Sequence, residues 1–129
     1  MTKDEKVRYW IKSAEHDWIV VGHLLEKHDY THALFLAHLT LEKTLKALFV
    51  HRHNLVPPFT HRLLYLADKA EVNLTDEQTE LLEIVTDFNL EARYPDEKFL
   101  FYKRCTQVFT EHYLEKIEVL KTWLLQQIQ

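Results

Sequence analysis

Glycine, proline and cysteine are scarce in this chain: 129 residues include one Gly, three Pro and one Cys. Hairpin turns rely on Gly, so a chain with only one is poorly suited to a β fold. Hydrophobic residues nevertheless make up 47% of the chain and aromatic residues 12%, a composition that argues against disorder. These proportions predict an all-α protein, and the length suits a single domain over residues 1–129.

The lone cysteine and the N-terminal segment bear on the compartment. Cys105 has no second cysteine with which to form an internal disulfide, which is typical of a reducing environment. The first residues, "MTKDEKVRYW", are charged and are followed by no apolar run of signal-peptide or membrane-span length. We therefore expect a cytoplasmic protein that does not associate with a membrane.

The net charge, the histidine positions and the single glycine argue against several classes of function. The formal net charge of −4 argues against nonspecific capture of nucleic acid as the main activity. Nine histidines are scattered along the chain, without cysteines at zinc-ligand spacing. The single glycine, Gly22, cannot build a glycine-rich phosphate loop. We expect neither a metal site nor a bound cofactor.

Hydrophobic periodicity places the helices. Four long amphipathic runs cover about 4–28, 32–51, 76–92 and 101–127, and a short one follows the "NLVPPF" break. Thr31 and Thr60 are the expected caps of the second and third helices, and "TDEQ" at Thr75 to Gln78 reads as a capping box. The pattern predicts an up-and-down four-helix bundle with one additional short helix, five in all.

Three charged residues fall on faces that should be apolar. A projection at about 100° per residue puts Asp17 near the middle of the apolar face of the first helix, and Glu42 and Lys46 near that of the second. The simplest interpretation is an intrahelical Glu42–Lys46 salt bridge. Inward charges on two helices also favour a shared polar network or cleft, and Arg93 and His61 are further candidate members of it.

The joint "NLEARYPDEKF", residues 89–99, separates the last two long helices. Pro95 should end the fourth helix because it disfavours helical geometry at Tyr94. We expect the helix end to let Arg93 turn inward toward Glu42 or Asp17, which would complete a network of Asp17, Glu42 and Arg93. The alternative is an ordinary surface cation that stabilises a helix C-terminus.

Four stretches together resemble the HEPN domain family, the higher eukaryote and prokaryote nucleotide-binding helical bundle, in its small stand-alone prokaryotic form. They are "YWIKSAEHDW", "ALFLAHLTLEKTLKALFV", "PPFTHRLLYLA" and "ARYPDE". The resemblance implies a homodimeric bundle that pairs with a minimal nucleotidyltransferase in a toxin-antitoxin-like arrangement. It implies binding of a nucleotide or RNA at the family's recurring polar positions, which here are Glu42, Lys43, Lys46, His61, Arg93 and Tyr94, with Asp17 as the helix-one aspartate.

The chain departs from the ribonuclease members of that family. Those members carry Arg and His separated by four to six residues near the start of the last long helix. Here no His follows Arg93 before His112, and seven residues separate Arg104 from His112. We therefore expect a non-catalytic binding and regulatory module that does not cleave RNA by itself. The rival hypothesis is a metal-independent ribonuclease that uses Arg93 with His61 or His112.

Large aromatic residues near helix ends suggest self-association. A small bundle needs fewer of them for its core, so we expect some to lie in a two-fold interface. The alternative is that they complete the core. The candidates are Tyr9, Trp18, Phe99, Phe101, Tyr102 and Trp123.

Overall fold

A computed structural model describes residues 1–128, in which all regular secondary structure is helical. The all-α prediction is therefore confirmed. Within these residues none of the helices combines the length and the apolar character needed to cross a bilayer. The helices are α1 (Lys3–Glu26), α2 (Tyr30–His53), α3 (Leu63–Lys69), α4 (Asp76–Arg93), α5 (Leu100–Arg104) and α6 (Gln107–Gln126).

The four long helices, α1, α2, α4 and α6, alternate in direction. The start of α1 lies beside the end of α2, where Lys3 Nζ donates a hydrogen bond to the carbonyl oxygen of His51 at 3.2 Å. The early part of α2 meets the late part of α4, where Asn89 and His38 are hydrogen-bonded at 3.1 Å. The end of α4 then contacts α5, just before α6 begins. This order brings the start of α2 and the end of α4 together at one end of the bundle.

The core forms around α2, more than half of whose residues are buried. Such a helix has little polar face left for solvent, as its nearly continuous aliphatic sequence indicates. The aromatic centre of the core is Phe88 on α4, which is 0% exposed. Its ring centroid lies 5.5 Å from that of Phe101, 5.9 Å from that of Phe109 and 5.3 Å from that of Tyr113.

The expected single helix over 101–127 is wrong, because the chain breaks it into α5 and α6. Cys105 leaves helical geometry with φ −78° and ψ 67°. The side chain of Thr106 then accepts a hydrogen bond from the backbone N–H of Phe109 at 3.2 Å and caps α6. The bundle therefore has two short helices rather than one, and residues 1–128 contain six helices.

The predicted caps have mixed outcomes. The capping box of Thr75 and Gln78 at the start of α4 is confirmed, with both reciprocal hydrogen bonds present. Thr31 does not cap α2, which begins one residue earlier at Tyr30. Thr60 does not cap α3 either. Its side chain instead accepts a hydrogen bond from the backbone N–H of Arg62 at 3.1 Å, and Thr60 lies three residues before the helix starts.

The joint after α4 ends that helix as expected. Tyr94, immediately before Pro95, has φ −129° and ψ 69°, outside the helical region. Asp96 then shapes the turn, because its carboxylate accepts hydrogen bonds from the backbone N–H groups of Lys98 at 3.2 Å and Leu100 at 2.8 Å. This turn leads directly into α5.

The aromatic side chains divide between core and surface. Phe101 is buried and completes the core, which leaves it unavailable for the expected two-fold interface. Trp18 and Trp123 are half-buried against the core. Tyr9, Phe99 and Tyr102 are exposed.

Candidate functional site

A buried carboxylate, Glu42 on α2, lies at the centre of a polar cluster with Lys46 and His61. Its side chain is only 6% exposed and accepts a hydrogen bond from Lys46 Nζ at 3.0 Å, one helical turn along. This confirms the predicted Glu42–Lys46 salt bridge. The second oxygen lies 2.7 Å from His61 Nδ1. Two partners thus compensate a charge whose burial would otherwise cost several kcal/mol.

His61 reaches Glu42 from the loop between α2 and α3. Asn54 closes α2 in a left-handed conformation, and Pro57 and Pro58 keep the following chain out of a helix. Because the ionised carboxylate can only accept, Nδ1 of His61 is the donor. The other half of the ring is open to solvent, since 53% of the side chain is exposed.

A chain of hydrogen bonds joins His61 to Arg93 through His38, which lies one turn before Glu42 on α2. Its Nε2 lies 2.9 Å from the carbonyl oxygen of His61 and must donate to it. Its Nδ1 therefore accepts, from Asn89 Nδ2 at 3.1 Å. Asn89 Oδ1 in turn accepts from Arg93 Nε at 2.7 Å. We call these four residues, Arg93, Asn89, His38 and His61, the relay.

Burial keeps His38 neutral. Loss of hydration lowers the pKa of His38 to about 4, against an opposing contribution from its hydrogen bond to the His61 backbone. The nearby charge of Glu42 also opposes the shift, while His61 and Arg93 reinforce it. His38 Nδ1 lies 3.9 Å from Glu42, but the neutral ring presents an acceptor there, so the two do not form an ion pair.

Arg93 is held in place, although not where we expected it. Within residues 1–128 no carboxylate oxygen lies within 4.0 Å of its guanidinium, so it forms no ion pair with Glu42 or Asp17. Asn89, one turn earlier on α4, engages its Nε, and the guanidinium lies over the ring of Tyr94 at 5.1 Å. Glu42 already has two partners, which removes the electrostatic reason for a third.

Asp17 also lies outside the expected network of Asp17, Glu42 and Arg93. It forms a separate ion pair with Lys43, whose Nζ is 2.7 Å from Oδ2 at an angle unsuited to a hydrogen bond. Lys43 follows Glu42 in α2, so its side chain points toward α1 while Glu42 points toward the α3 loop. This pair joins α1 to α2 beside the cluster.

His112 lies away from the cluster. It lines a groove between α4 and α6, whereas none of Glu42, His61 and Arg93 lines that groove. Arg104 is also engaged elsewhere, 3.8 Å from Glu91. The structure therefore brings together Glu42, Lys46 and His61, with Arg93 joined through the relay, but it does not bring His112 to them.

Sequence reasoning missed His38 and Asn89. Both occupy apolar positions of their helices, and each precedes a predicted site residue by four: His38 before Glu42, and Asn89 before Arg93. That spacing places each pair on one helical face and was a usable signal. In residues 1–128 no group of three or more His, Cys, Asp or Glu side chains could hold a metal ion.

Comparison with protein families gives a match over nearly the whole chain. The family model described as "HEPN domain" matches residues 7–128, nearly the whole chain. The chain matches no curated protein and no solved structure.

Proposed function

The chain belongs to the HEPN domain family, and from this premise we propose that it is a nucleotide- or RNA-binding regulatory module and not an enzyme. The observation that best supports the proposal is the local environment of the Arg93 side chain. Its side chain is exposed, its Nε is held by Asn89, and its two terminal nitrogens have no partner among residues 1–128. A planar guanidinium oriented in this way suits a phosphate group, which it can bind through two parallel hydrogen bonds.

The neighbouring residues add complementary chemistry. The exposed ring of Tyr94 beside the guanidinium offers a surface on which a base can stack. The exposed ring of His61 supplies a second polar contact, and Glu42 fixes its orientation. Lys46 and Lys43 add positive charge on α2, each balanced by a carboxylate of the bundle. In this proposal Glu42 and Asp17 position cations and do not touch the ligand.

The wider biological setting is also a proposal. We infer a cytoplasmic, single-domain homodimer that docks a minimal nucleotidyltransferase in a toxin-antitoxin-like pair. Membership of the family supports this proposal, because the resemblance to the family implies a homodimer that pairs with a minimal nucleotidyltransferase.

Replacing Arg93 with Ala should weaken binding of a fluorescent ATP analogue or of a short labelled single-stranded RNA by about tenfold to a hundredfold. A hydrogen bond to a charged group contributes about 1.5–3 kcal/mol, which corresponds to that range. Fluorescence anisotropy measures the affinity. Arg93→Lys keeps the charge but loses the planar fork, so its affinity should lie between those of the wild type and Arg93→Ala.

The matched control is Arg8→Ala, which removes another exposed arginine, from α1. Its affinity should equal that of the wild type. Equal losses in the Arg8 and Arg93 variants would show only a general effect of charge and would contradict a site at Arg93.

One observation favours a ribonuclease as the second candidate. Glu42 holds His61 by Nδ1, as a carboxylate orients the imidazole of a general base. His61 and Arg93 would then act on the RNA 2′-hydroxyl and phosphate. His112 does not contribute to this site, because it lines the separate groove between α4 and α6, which His61 and Arg93 do not line.

We expect the purified protein not to cleave RNA at a useful rate. General-base catalysis needs the base within hydrogen-bond reach of the proton that it removes, and the chain lacks the spacing by which ribonucleases of the family achieve this. A structured and an unstructured RNA, incubated without divalent metal and separated by electrophoresis, test the point. Cleavage that disappears in both Arg93→Ala and His61→Ala, with helical circular dichroism intact, would establish the ribonuclease instead.

A further inference from the structure

The relay ends on two groups whose hydrogen-bonding roles are fixed. At one end the backbone carbonyl oxygen of His61 can only accept a hydrogen bond, and at the other the Nε–H of Arg93 can only donate one. His38 and Asn89 lie between them, and each can donate at one atom and accept at another. The three donor–acceptor distances are 2.9, 3.1 and 2.7 Å. All three hydrogen bonds therefore run in one direction, with each donor on the Arg93 side.

Only one tautomer of His38 satisfies all three hydrogen bonds. With its proton on Nε2, the ring donates to His61 and leaves Nδ1 to accept from the amide nitrogen of Asn89. The amide oxygen of Asn89 then faces the donor on Arg93. With the proton on Nδ1 instead, Asn89 would turn its oxygen toward His38, and its amide nitrogen would face the Nε–H of Arg93, donor against donor. The tautomer of His38, which the His61 carbonyl oxygen selects, therefore decides which atom faces Arg93.

Burial makes this arrangement hard to exchange for another. His38 is 0% exposed and Asn89 is 2% exposed, so solvent offers neither side chain an alternative partner. A buried donor or acceptor without a partner loses its hydration and gains no hydrogen bond in return. The two side chains are therefore held in one orientation, and Asn89 extends that constraint to the guanidinium of Arg93.

Asn89 suits a phosphate site because its side chain is neutral. A carboxylate at this position would also accept from Nε, but it would balance the positive charge of Arg93 and compete with a bound phosphate. The amide oxygen orients the guanidinium and leaves its charge intact. Because the donors of a guanidinium lie in a fixed plane, the hydrogen bond at Nε also fixes the direction of the two terminal nitrogens.

We propose that Asn89 and His38 are positioning residues, which hold Arg93 in its phosphate-binding orientation as long as the His61 backbone is docked on α2. The role in phosphate binding rests on the proposed function, whereas the orientation of Arg93 is a property of the free protein. When the loop between α2 and α3 leaves α2, nothing selects the tautomer of His38, and Arg93 loses its fixed acceptor. The two exposed ligand contacts, Arg93 and His61, thus depend on each other although they lie on different elements.

A set of variants at position 38 tests the effect on binding. His38→Leu removes both hydrogen bonds of the side chain. Its affinity for a fluorescent ATP analogue, measured by anisotropy, should fall by about twofold to tenfold, the cost of immobilising a free arginine on binding. His38→Gln keeps a donor and an acceptor and should bind as the wild type does. In the Arg93→Ala background, His38→Leu should cause no further loss. Equal losses in both backgrounds would show that His38 does not act through Arg93 and would overturn the proposal.

Exchange of the Arg93 Nε–H with water measures the orientation without any ligand. Its signal in a nitrogen–proton correlation spectrum is identified by its absence from Arg93→Ala. Arg8, exposed on α1 and without a hydrogen bond among residues 1–128, is the reference for a free arginine. In the wild type and His38→Gln the Arg93 signal should exchange at least about tenfold more slowly than that of Arg8, and in His38→Leu about as fast. Unchanged protection in His38→Leu would overturn the proposal, whether or not the protein binds nucleotide.

Thr44→Val is the matched control for the loss of a buried hydrogen bond from α2. Thr44 is 0% exposed and donates to the carbonyl oxygen of Thr40 at 2.7 Å, outside the relay. Its removal can lower stability, but the exchange at Arg93 and the nucleotide affinity should equal those of the wild type. Losses as large as those in His38→Leu would reduce His38 to a general structural role and overturn the proposal.

Two further outcomes distinguish failure of the positioning from failure of the proposed function. If Arg93→Ala leaves the affinity unchanged, the proposed function fails, while exchange at Arg93 still decides whether His38 positions it. If Arg93→Ala weakens binding but His38→Leu frees the Arg93 signal without changing the affinity, the binding site is supported and its dependence on positioning is refuted. Asn89→Leu removes the acceptor of Arg93 itself and should give the same losses of protection and affinity. It replaces His38→Leu if circular dichroism shows that variant to be unfolded.

Discussion

Replacing Phe88 with Ala is expected to lower the free energy of unfolding by about 4 kcal/mol, the largest effect of any substitution considered for this protein. Phe88 is fully buried, and three other aromatic rings pack around it. Truncation removes that burial and leaves a cavity that the surrounding rings, held by α5 and α6, cannot readily fill. The loss would use up much of the 5–15 kcal/mol that is typical of a folded domain.

Urea denaturation followed by circular dichroism at 222 nm, the helical band, measures this difference. Phe59→Ala is the matched control, because the same side chain is fully exposed in the loop before α3. Its free energy of unfolding should stay within about 0.5 kcal/mol of the wild-type value. Similar losses in the two variants would contradict the position assigned to Phe88.

The second large effect is a loss of stability in acid that depends on His38. Burial lowers the pKa of this residue from 6.5 to about 4 in the folded protein. Between those values the unfolded chain binds a proton at His38 while the folded chain does not, so acid favours unfolding. Each pKa unit corresponds to about 1.4 kcal/mol, which puts the stability lost between pH 6.5 and 4 on the order of 3 kcal/mol.

His38→Gln isolates this contribution. The glutamine amide does not titrate, yet it can donate to the His61 carbonyl oxygen and accept from Asn89 as His38 does. The free energy of unfolding, measured by urea denaturation across this pH range, should fall less steeply in the variant. His16→Gln removes an exposed histidine from α1 and should keep the wild-type slope. If the free energy of unfolding depends on pH equally in the wild type and in His38→Gln, the result would contradict a buried, neutral His38.

Much of the fold could be predicted from the sequence because it depends on interactions within one or two helical turns. The scarcity of glycine and the spacing of apolar residues indicated an all-helical chain. The capping box at Thr75 and Gln78, the salt bridge between Glu42 and Lys46, and the end of α4 before Pro95 all depend on residues close in the chain. Each such feature is a property of local backbone geometry.

Tertiary structure decided the geometry of the candidate site. Asn89 and His38 are 51 positions apart, and they meet only because α2 and α4 pack in a particular rotation and register. That packing holds Asn89 against His38 and gives Glu42 its partner His61, while Arg93 bonds to Asn89 within α4; it also pairs Asp17 with Lys43. It also places His112 in a separate groove.

The break at Cys105 shows the same difference between what the sequence pattern predicts and what the folded structure adopts. The apolar periodicity continues across it, so the periodicity alone predicts one helix. The structure instead ends α5 at Cys105 and starts α6 at the Thr106 cap, while Phe101 of α5 packs against Phe88 on α4. The sequence by itself determined which segments are helical, where most of them end and which side chains share a face. Only the packed bundle decided which of those faces meet, because the contacts between them join residues that are distant in the chain and depend on the position of every helix at once.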